Sequence, residues 1–350
     1  MKKGPLSFLR IPMAESTDTL GIGLLGSGRM AHVYGPKLNS HPGLRLEYVL
    51  NPNRASAERV TAMYGGRASS ELEEVLDSPK VDAVVIATPT NTHVDYIAAA
   101  AMAGKSIYCE KPLDNTLERV DSCLATLKAY PVPFMLGFNR RFDPDNAAVR
   151  KAVANGELGK VNFLMSTSRE PAPPPIDYVR ASGGYFLDAQ IHDIDLLCWI
   201  AGERPEKVFS AGSCVFDPDI GAEGDVDLAM TTLMMPSGAI AHINNSRACI
   251  YGFDQRLEVF GTEGMLQTLN HHIDPLIRWS GTTTEARAPL KHFFLERYDT
   301  SFYNALDEFY GAVTDGRTPS TTEHDGRAAL AIALACKSSQ RQGVAVAPDY

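Results

Sequence analysis

From Leu20 to about Arg141, short apolar runs alternate with amphipathic stretches of helical period. Leu20–Gly26, Leu44–Leu50, Ala83–Thr88, Ser106–Glu110 and Pro133–Phe138 read as strands. Met30–Leu38, Ala55–Tyr64, Val94–Ala103 and Leu117–Tyr130 read as helices. The nearly unbroken apolar run Val81–Ala87 suits a parallel strand covered on both faces, where alternation is lost. Strand–helix alternation of this kind predicts a doubly wound domain.

After Asp143 the rhythm changes. A helix (Asn146–Asn155) leads to a strand (Val161–Arg169), a proline-rich stretch (Pro171 to Pro175) and a helix from about Tyr185 to Ile200. Short strands follow at Lys207–Phe216, Val226–Met235, Ala239–Ser246, Arg256–Phe260, Met265–Leu269 and Leu276–Trp279. Pro236-Ser237-Gly238 and Gly261-Thr262-Glu263-Gly264 supply tight turns, so the strands should pair mainly antiparallel. Two helices, Ser301–Thr314 and Glu323–Gln340, close the chain. The predicted fold is α/β: an N-terminal Rossmann-type parallel sheet over residues 19–142, then an α+β domain with a large, open, mainly antiparallel sheet over 143–350. Residues 1–18 read as a disordered leader.

Composition narrows the function. The chain has 350 residues, 44% hydrophobic and 21% charged, ordinary for a folded protein of about two domains. With 33 Lys and Arg against 42 Asp and Glu, the net charge of −9 gives no footprint for nucleic acid. No apolar run approaches the roughly 20 residues of a membrane span. The six cysteines are widely spaced and lack a C-x-x-C pair, which suits free thiols in a reducing cytoplasm.

Gly26-Ser27-Gly28-Arg29-Met30-Ala31 places G-x-G-x-x-A at a strand-to-helix junction. Gly26 would allow the tight turn, Gly28 the approach of a pyrophosphate, and Ala31 close helix–strand packing. The acid expected at the end of the second strand is replaced by Asn51, with Arg54 close by. Asn51 can bond a ribose hydroxyl and Arg54 could receive a 2′-phosphate, so NAD is favoured and NADP stays open. Two further segments fall at strand ends, where ligands of such sheets lie: Thr88-Pro89-Thr90-Asn91-Thr92-His93 and Glu110-Lys111-Pro112. Downstream, Asp188, His192 and Asp195 share one face of an ideal helix. A carboxylate one turn from an imidazole can make a general base, although a structural histidine or a two-ligand metal site has the same spacing. No third ligand is evident, and no metal is expected.

Together with Gly137-Phe138-Asn139-Arg140-Arg141-Phe142 and Asp188-x-x-x-His192, these motifs resemble the glucose–fructose oxidoreductase/inositol dehydrogenase/rhizopine catabolism family, from Leu20 to Gln340. A narrower resemblance, to its inositol 2-dehydrogenase branch, lies in Ser168–Tyr178, Ser182-Gly183-Gly184 and Ile191-His192-Asp193. It departs at Glu170, where Asp is expected, and at Asn51, where many relatives carry Asp. The resemblance implies an oxidoreductase that passes hydride from a cyclic polyol to nicotinamide, with Lys111, Asp188 and His192 as catalytic residues. His192 would take the hydroxyl proton, Asp188 would fix substrate and imidazole, and Lys111 would bond the reacting oxygen. The implied cofactor contacts are Gly26, Gly28, Arg29, Met30, Asn51, Arg54, Thr88, Pro89, Asn91, His93, Glu110, Lys111 and Asn139. Arg169, beside four prolines, is read as a donor to remote substrate hydroxyls. An aldohexose or other pyranose is the alternative substrate, and a non-catalytic dinucleotide sensor the remote one. A sensor would have no need of Lys111, Asp188 and His192. Apolar residues on both alternation sets of Leu228–Met235 predict an interface on the second sheet, and the resemblance implies a homodimer or homotetramer formed through it.

Overall fold

The computed structural model describes residues 19–350, and the expected leader lies outside the described residues. Six strands form the first sheet: β1 (Leu20–Leu25), β2 (Leu44–Leu50), β3 (Arg67–Ser69), β4 (Ala83–Ile86), β5 (Ser106–Cys109) and β6 (Phe134–Leu136). They are parallel, in the order β3-β2-β1-β4-β5-β6. Leu24, Leu25, Val84, Val85 and Ile86 are fully buried because helices cover both faces. The order reverses between β1 and β4, which opens a crevice at the carboxyl ends of those strands. Strand β3 escaped the sequence reading: Arg67-Ala68-Ser69 has only one apolar residue and no period to detect.

The second sheet contains β7 (Val161–Arg169), β8 (Lys207–Ser213), β9 (Leu228–Met234), β10 (Ile240–Ser246), β11 (Asp254–Gly261) and β12 (Gly264–Gln267). Its order is β12-β11-β7-β10-β9-β8, antiparallel except where β7 meets β10. Leu276–Trp279 does not join it; Ile277–Arg278 pairs with Ala286–Arg287 in a separate ribbon. One face of the sheet carries Leu164, Val208, Leu233, Ala241, Ile243, Leu257 and Val259 into the core, under helices Ile191–Ala201 and Glu323–Gln342. The opposite face exposes Phe209, Met230, Met234, Ile240, Phe260 and Met265.

The predicted domain boundary needs one correction. Helix Asp299–Thr314, expected with the second domain, buries Phe302, Leu306 and Phe309 against Ile22, Leu24 and Tyr34 of the first. Its apolar face found the nearer uncovered side of the nucleotide sheet. Thr321 then pairs with the edge strand, donating to the Leu136 carbonyl at 2.7 Å.

Two charge pairs fix one domain on the other. Arg140 donates to Asp193 at 2.7 Å, and Arg141 Nε to Asp195 at 2.9 Å, all four side chains being buried. Breaking a buried pair by removing one partner typically costs about 3–5 kcal/mol, because the remaining charge stays desolvated. The Asn139–Phe142 turn and helix Ile191–Ala201 are thereby held together.

Candidate active site

The phosphate loop begins where β1 ends. Gly26 has φ +107°, and a Cβ there would stand 2.5 Å from the Ala87 carbonyl oxygen, so glycine is required by the fold itself. Gly28 differs: its φ is −80°, and a Cβ would meet nothing within 4 Å. Helix Arg29–Ser40 starts at Gly28 with no side-chain cap on its first N–H groups. Open space before uncapped N–H donors at a positive helix end is what a dinucleotide pyrophosphate requires, and these residues fit it. Arg29 is exposed at the loop, while Met30 packs on the core below.

At the end of β2, Asn51 Nδ2 donates to Ser27 Oγ at 2.7 Å and Asn51 Oδ1 accepts from Asn53 N at 2.8 Å. Arg54 is paired with Glu58 at 3.2 Å, which competes with any 2′-phosphate for its charge.

The next two strand ends meet through His93. Its Nδ1 lies 2.7 Å from the Pro112 carbonyl and its Nε2 2.9 Å from the Thr88 carbonyl. His93 is buried and therefore braces the two loops; it does not face the crevice as expected. Asn139, also expected there, is buried against Ser301 Oγ at 3.2 Å, beneath the second-domain join. Asn91 stands in the turn Thr90–Thr92 after Pro89, its carbonyl accepting from Arg119 at 3.3 Å. Glu110 is buried with Tyr34, and its Oε2 accepts from the Lys111 amide at 3.2 Å. Burial pushes the Glu110 carboxyl up, opposed by the Tyr34 hydrogen bond and the Lys111 charge.

Lys111 crosses to the second domain. Its Nζ donates to the Asp188 carbonyl at 2.8 Å and lies 3.3 Å from Asp188 Oδ1. The helix it meets is not uniform: Phe186–Gln190 is a π-helical turn, and the α-helix starts at Ile191. Such widened turns re-aim side chains. Gly183 and Gly184, at φ +84° and +96°, admit the chain to it, and buried Gln190 anchors it by donating to Asn245 at 2.9 Å.

The structure corrects two expectations drawn from ideal helix spacing. Among the described residues Asp188 makes no hydrogen bond to His192; it accepts from Tyr178 Oη at 2.8 Å and faces Lys111. Asp195 points to the other side, where Arg141 and Asp325 share a separate cleft with Trp199. His192 keeps its place beside Phe138, with ring centroids 6.5 Å apart, and its Nδ1 is buried without a protein partner. Burial, with the Lys111 and Arg140 charges, holds the imidazole neutral well below its ordinary range. Burial alone would push Asp188 up, but Lys111, Arg247 and the Tyr178 hydroxyl outweigh it and keep the carboxyl below the usual range. The site thus presents a neutral imidazole, a carboxylate and a lysine at the mouth of the crevice.

Arg169 is not brought to this site. Ser166 and Ser168 of β7 point toward Asp193 and Arg140, so alternation sends Arg169 to the outer face. There it donates to Tyr251 Oη at 2.6 Å and Asn244 Oδ1 at 3.3 Å. Two residues near the site escaped the sequence reading. Tyr178 carried a weak signal, an aromatic three residues after the last of the run's prolines. Arg247 carried none; it is fully buried, its guanidinium 4.9 Å from the Tyr185 ring centroid and 3.7 Å from Asp188 Oδ2.

Comparison with known proteins agrees with this architecture. Residues 20–138 match the model of the oxidoreductase family with NAD-binding Rossmann fold, and residues 146–267 match the GFO/IDH/MocA C-terminal domain. The chain is 39% identical to an inositol 2-dehydrogenase of Rhizobium meliloti, over 92% of this chain and 97% of the relative. It is 38% identical to a myo-inositol 2-dehydrogenase of Thermotoga maritima, over 91% and 95%. The crystal structure of a myo-inositol dehydrogenase from Corynebacterium glutamicum superposes with a TM-score of 0.91 at 38% identity, covering 95% of this chain and 99% of that one. The chain belongs to the GFO/IDH/MocA family of NAD-dependent oxidoreductases.

Proposed function

We propose that this protein oxidises a ring hydroxyl of a cyclic polyol of the inositol class to the ketone, with His192 as general base. The observation that carries the reading is the contact of Lys111 with Asp188, four residues before His192 on the same helical segment, with the imidazole held neutral by burial and the Lys111 and Arg140 charges. NAD, when bound along the phosphate loop, supplies the hydride acceptor. His192, held neutral, accepts the hydroxyl proton. Lys111 donates a hydrogen bond to the reacting oxygen and steadies the charge that grows on it. Asp188, kept ionised, accepts from neighbouring hydroxyls. The names of the relatives, inositol dehydrogenases at 38–39% identity over most of the chain, support the polyol class.

The exposed apolar face of the second sheet supports assembly into a homodimer or homotetramer, since contiguous apolar surface of this kind marks an interface. The six free cysteines suit the reducing cytoplasm. Among the described residues no helix is long and apolar enough to cross a membrane. The substrate assignment is tested by absorbance of reduced nicotinamide with myo-inositol, scyllo-inositol and glucose in turn. Turnover of an inositol is expected; turnover of glucose alone would move the assignment to pyranoses.

A further inference from the structure

The proline run needs a reason, because Arg169 beside it faces away from the site. Pro171, Pro173, Pro174 and Pro175 fix φ over most of the segment, and Pro175 stands at the N-cap of helix Ile176–Ala181. A segment so restricted loses little entropy on ordering and delivers the next helix to a set place. What it delivers is Tyr178, and this side chain makes two contacts of different kinds. Its hydroxyl donates to Asp188 Oδ1 at 2.8 Å, the oxygen that also faces Lys111 Nζ at 3.3 Å. Its ring lies against the Arg29 guanidinium, 5.4 Å from centroid to Cζ, while the Phe294 ring lies 5.5 Å from the same Cζ. Arg29 is the residue directly after Gly28 in the phosphate loop, and it is otherwise exposed.

We propose that Tyr178 is a positioning residue that couples the two halves of the site: its ring steadies Arg29 of the phosphate loop, and its hydroxyl sets the Asp188 carboxylate. With Oδ1 engaged by Tyr178 and Lys111, Oδ2 is the oxygen left to accept from substrate. Arg247 Nη2, 3.7 Å from Oδ2, balances its charge without closing a hydrogen bond. The same phenol thus bears on cofactor affinity through its face and on substrate through its oxygen. The second half of this inference rests on the polyol reading above; the first does not.

Tyr178→Phe keeps the ring and removes the hydroxyl, whereas Tyr178→Leu removes both, so the two contacts separate. Binding of NAD is read by isothermal titration and kcat/KM by myo-inositol oxidation. Loss of a hydrogen bond to a charged acceptor is expected to lower kcat/KM about ten-fold or more in both variants. The NAD Kd should stay within about two-fold of wild type in Tyr178→Phe and weaken about two- to five-fold in Tyr178→Leu, the scale of an exposed cation–π contact. The proposal is overturned if Tyr178→Phe retains wild-type kcat/KM, if it weakens NAD as much as Tyr178→Leu, or if Tyr178→Leu binds NAD like wild type. If the wild-type protein oxidises no polyol, the substrate reading falls, and the NAD comparison of the two variants still decides the Arg29 contact.

Discussion

Lys111 Nζ lies 2.8 Å from the Asp188 carbonyl oxygen, so a strand end of the nucleotide domain touches the π-helical turn of the second domain at the crevice mouth. The Lys111 charge acts on both groups: with Arg247 and the Tyr178 hydroxyl it keeps Asp188 ionised, and it adds to burial and Arg140 in keeping His192 neutral. These protonation states need no bond between Asp188 and His192.

This predicts a pH signature. Because the folded-state value for His192 is depressed, the imidazole stays unprotonated as pH falls through its ordinary value near 6.5. The His192 contribution to the acid limb of kcat/KM should therefore lie below pH 6.5, with no inflection from this group between about 6.5 and 8. In Lys111→Met one depressing charge is gone, so that limb should move up in pH, and turnover should fall about a hundred-fold or more. A pH–rate series on both proteins checks the direction. An upward shift in wild type, or a downward one in Lys111→Met, would count against the electrostatic account.

The two glycines of the phosphate loop should behave oppositely. Gly26→Ala forces an L-residue to φ +107° and drives a Cβ into the Ala87 carbonyl, so the thermal midpoint should drop, by an amount matching about 1–3 kcal/mol. Gly28→Ala meets no protein atom and should leave the midpoint unchanged while weakening NAD about ten-fold or more, since the methyl enters the space before the helix N-terminus. Differential scanning fluorimetry and NAD titration separate the two.

How legible was this in the sequence? The parallel sheet was, because Val81–Ala87 and its counterparts combine unbroken apolar runs with helical periods between them. The places of Lys111, Asp188 and His192 were legible too, since each sits at a strand end or in a recognisable motif. Relations between side chains were not. Ideal 3.6-residue geometry paired Asp188 with His192 and added Asp195, but the π-helical turn at Phe186–Gln190 breaks the spacing from Asp188 to His192, and Arg141 claims Asp195. Arg169 was misplaced for a simpler reason: one step along a strand reverses the face, and the strand's register was not visible in its residues. The recruitment of helix Asp299–Thr314 to the first domain depends on contacts about 280 residues apart in the chain, which no local pattern records.

The outer face of the second sheet gives a prediction on assembly. Met230 is exposed on that face opposite Ala211 and Asn244, and Phe209, Met234 and Ile240 are exposed further along it. Light scattering should show a dimer or tetramer at micromolar concentration, and Met230→Lys should shift it toward monomer by burying an unpaired charge at the contact. A wild-type monomer would contradict this.

The most direct test of the central claim compares His192→Ala with wild type in myo-inositol oxidation and NAD binding. If His192 takes the hydroxyl proton, kcat should fall by about 10²–10⁴-fold while the NAD Kd stays unchanged, because the imidazole faces substrate rather than the phosphate loop. Wild-type turnover in His192→Ala would contradict the account.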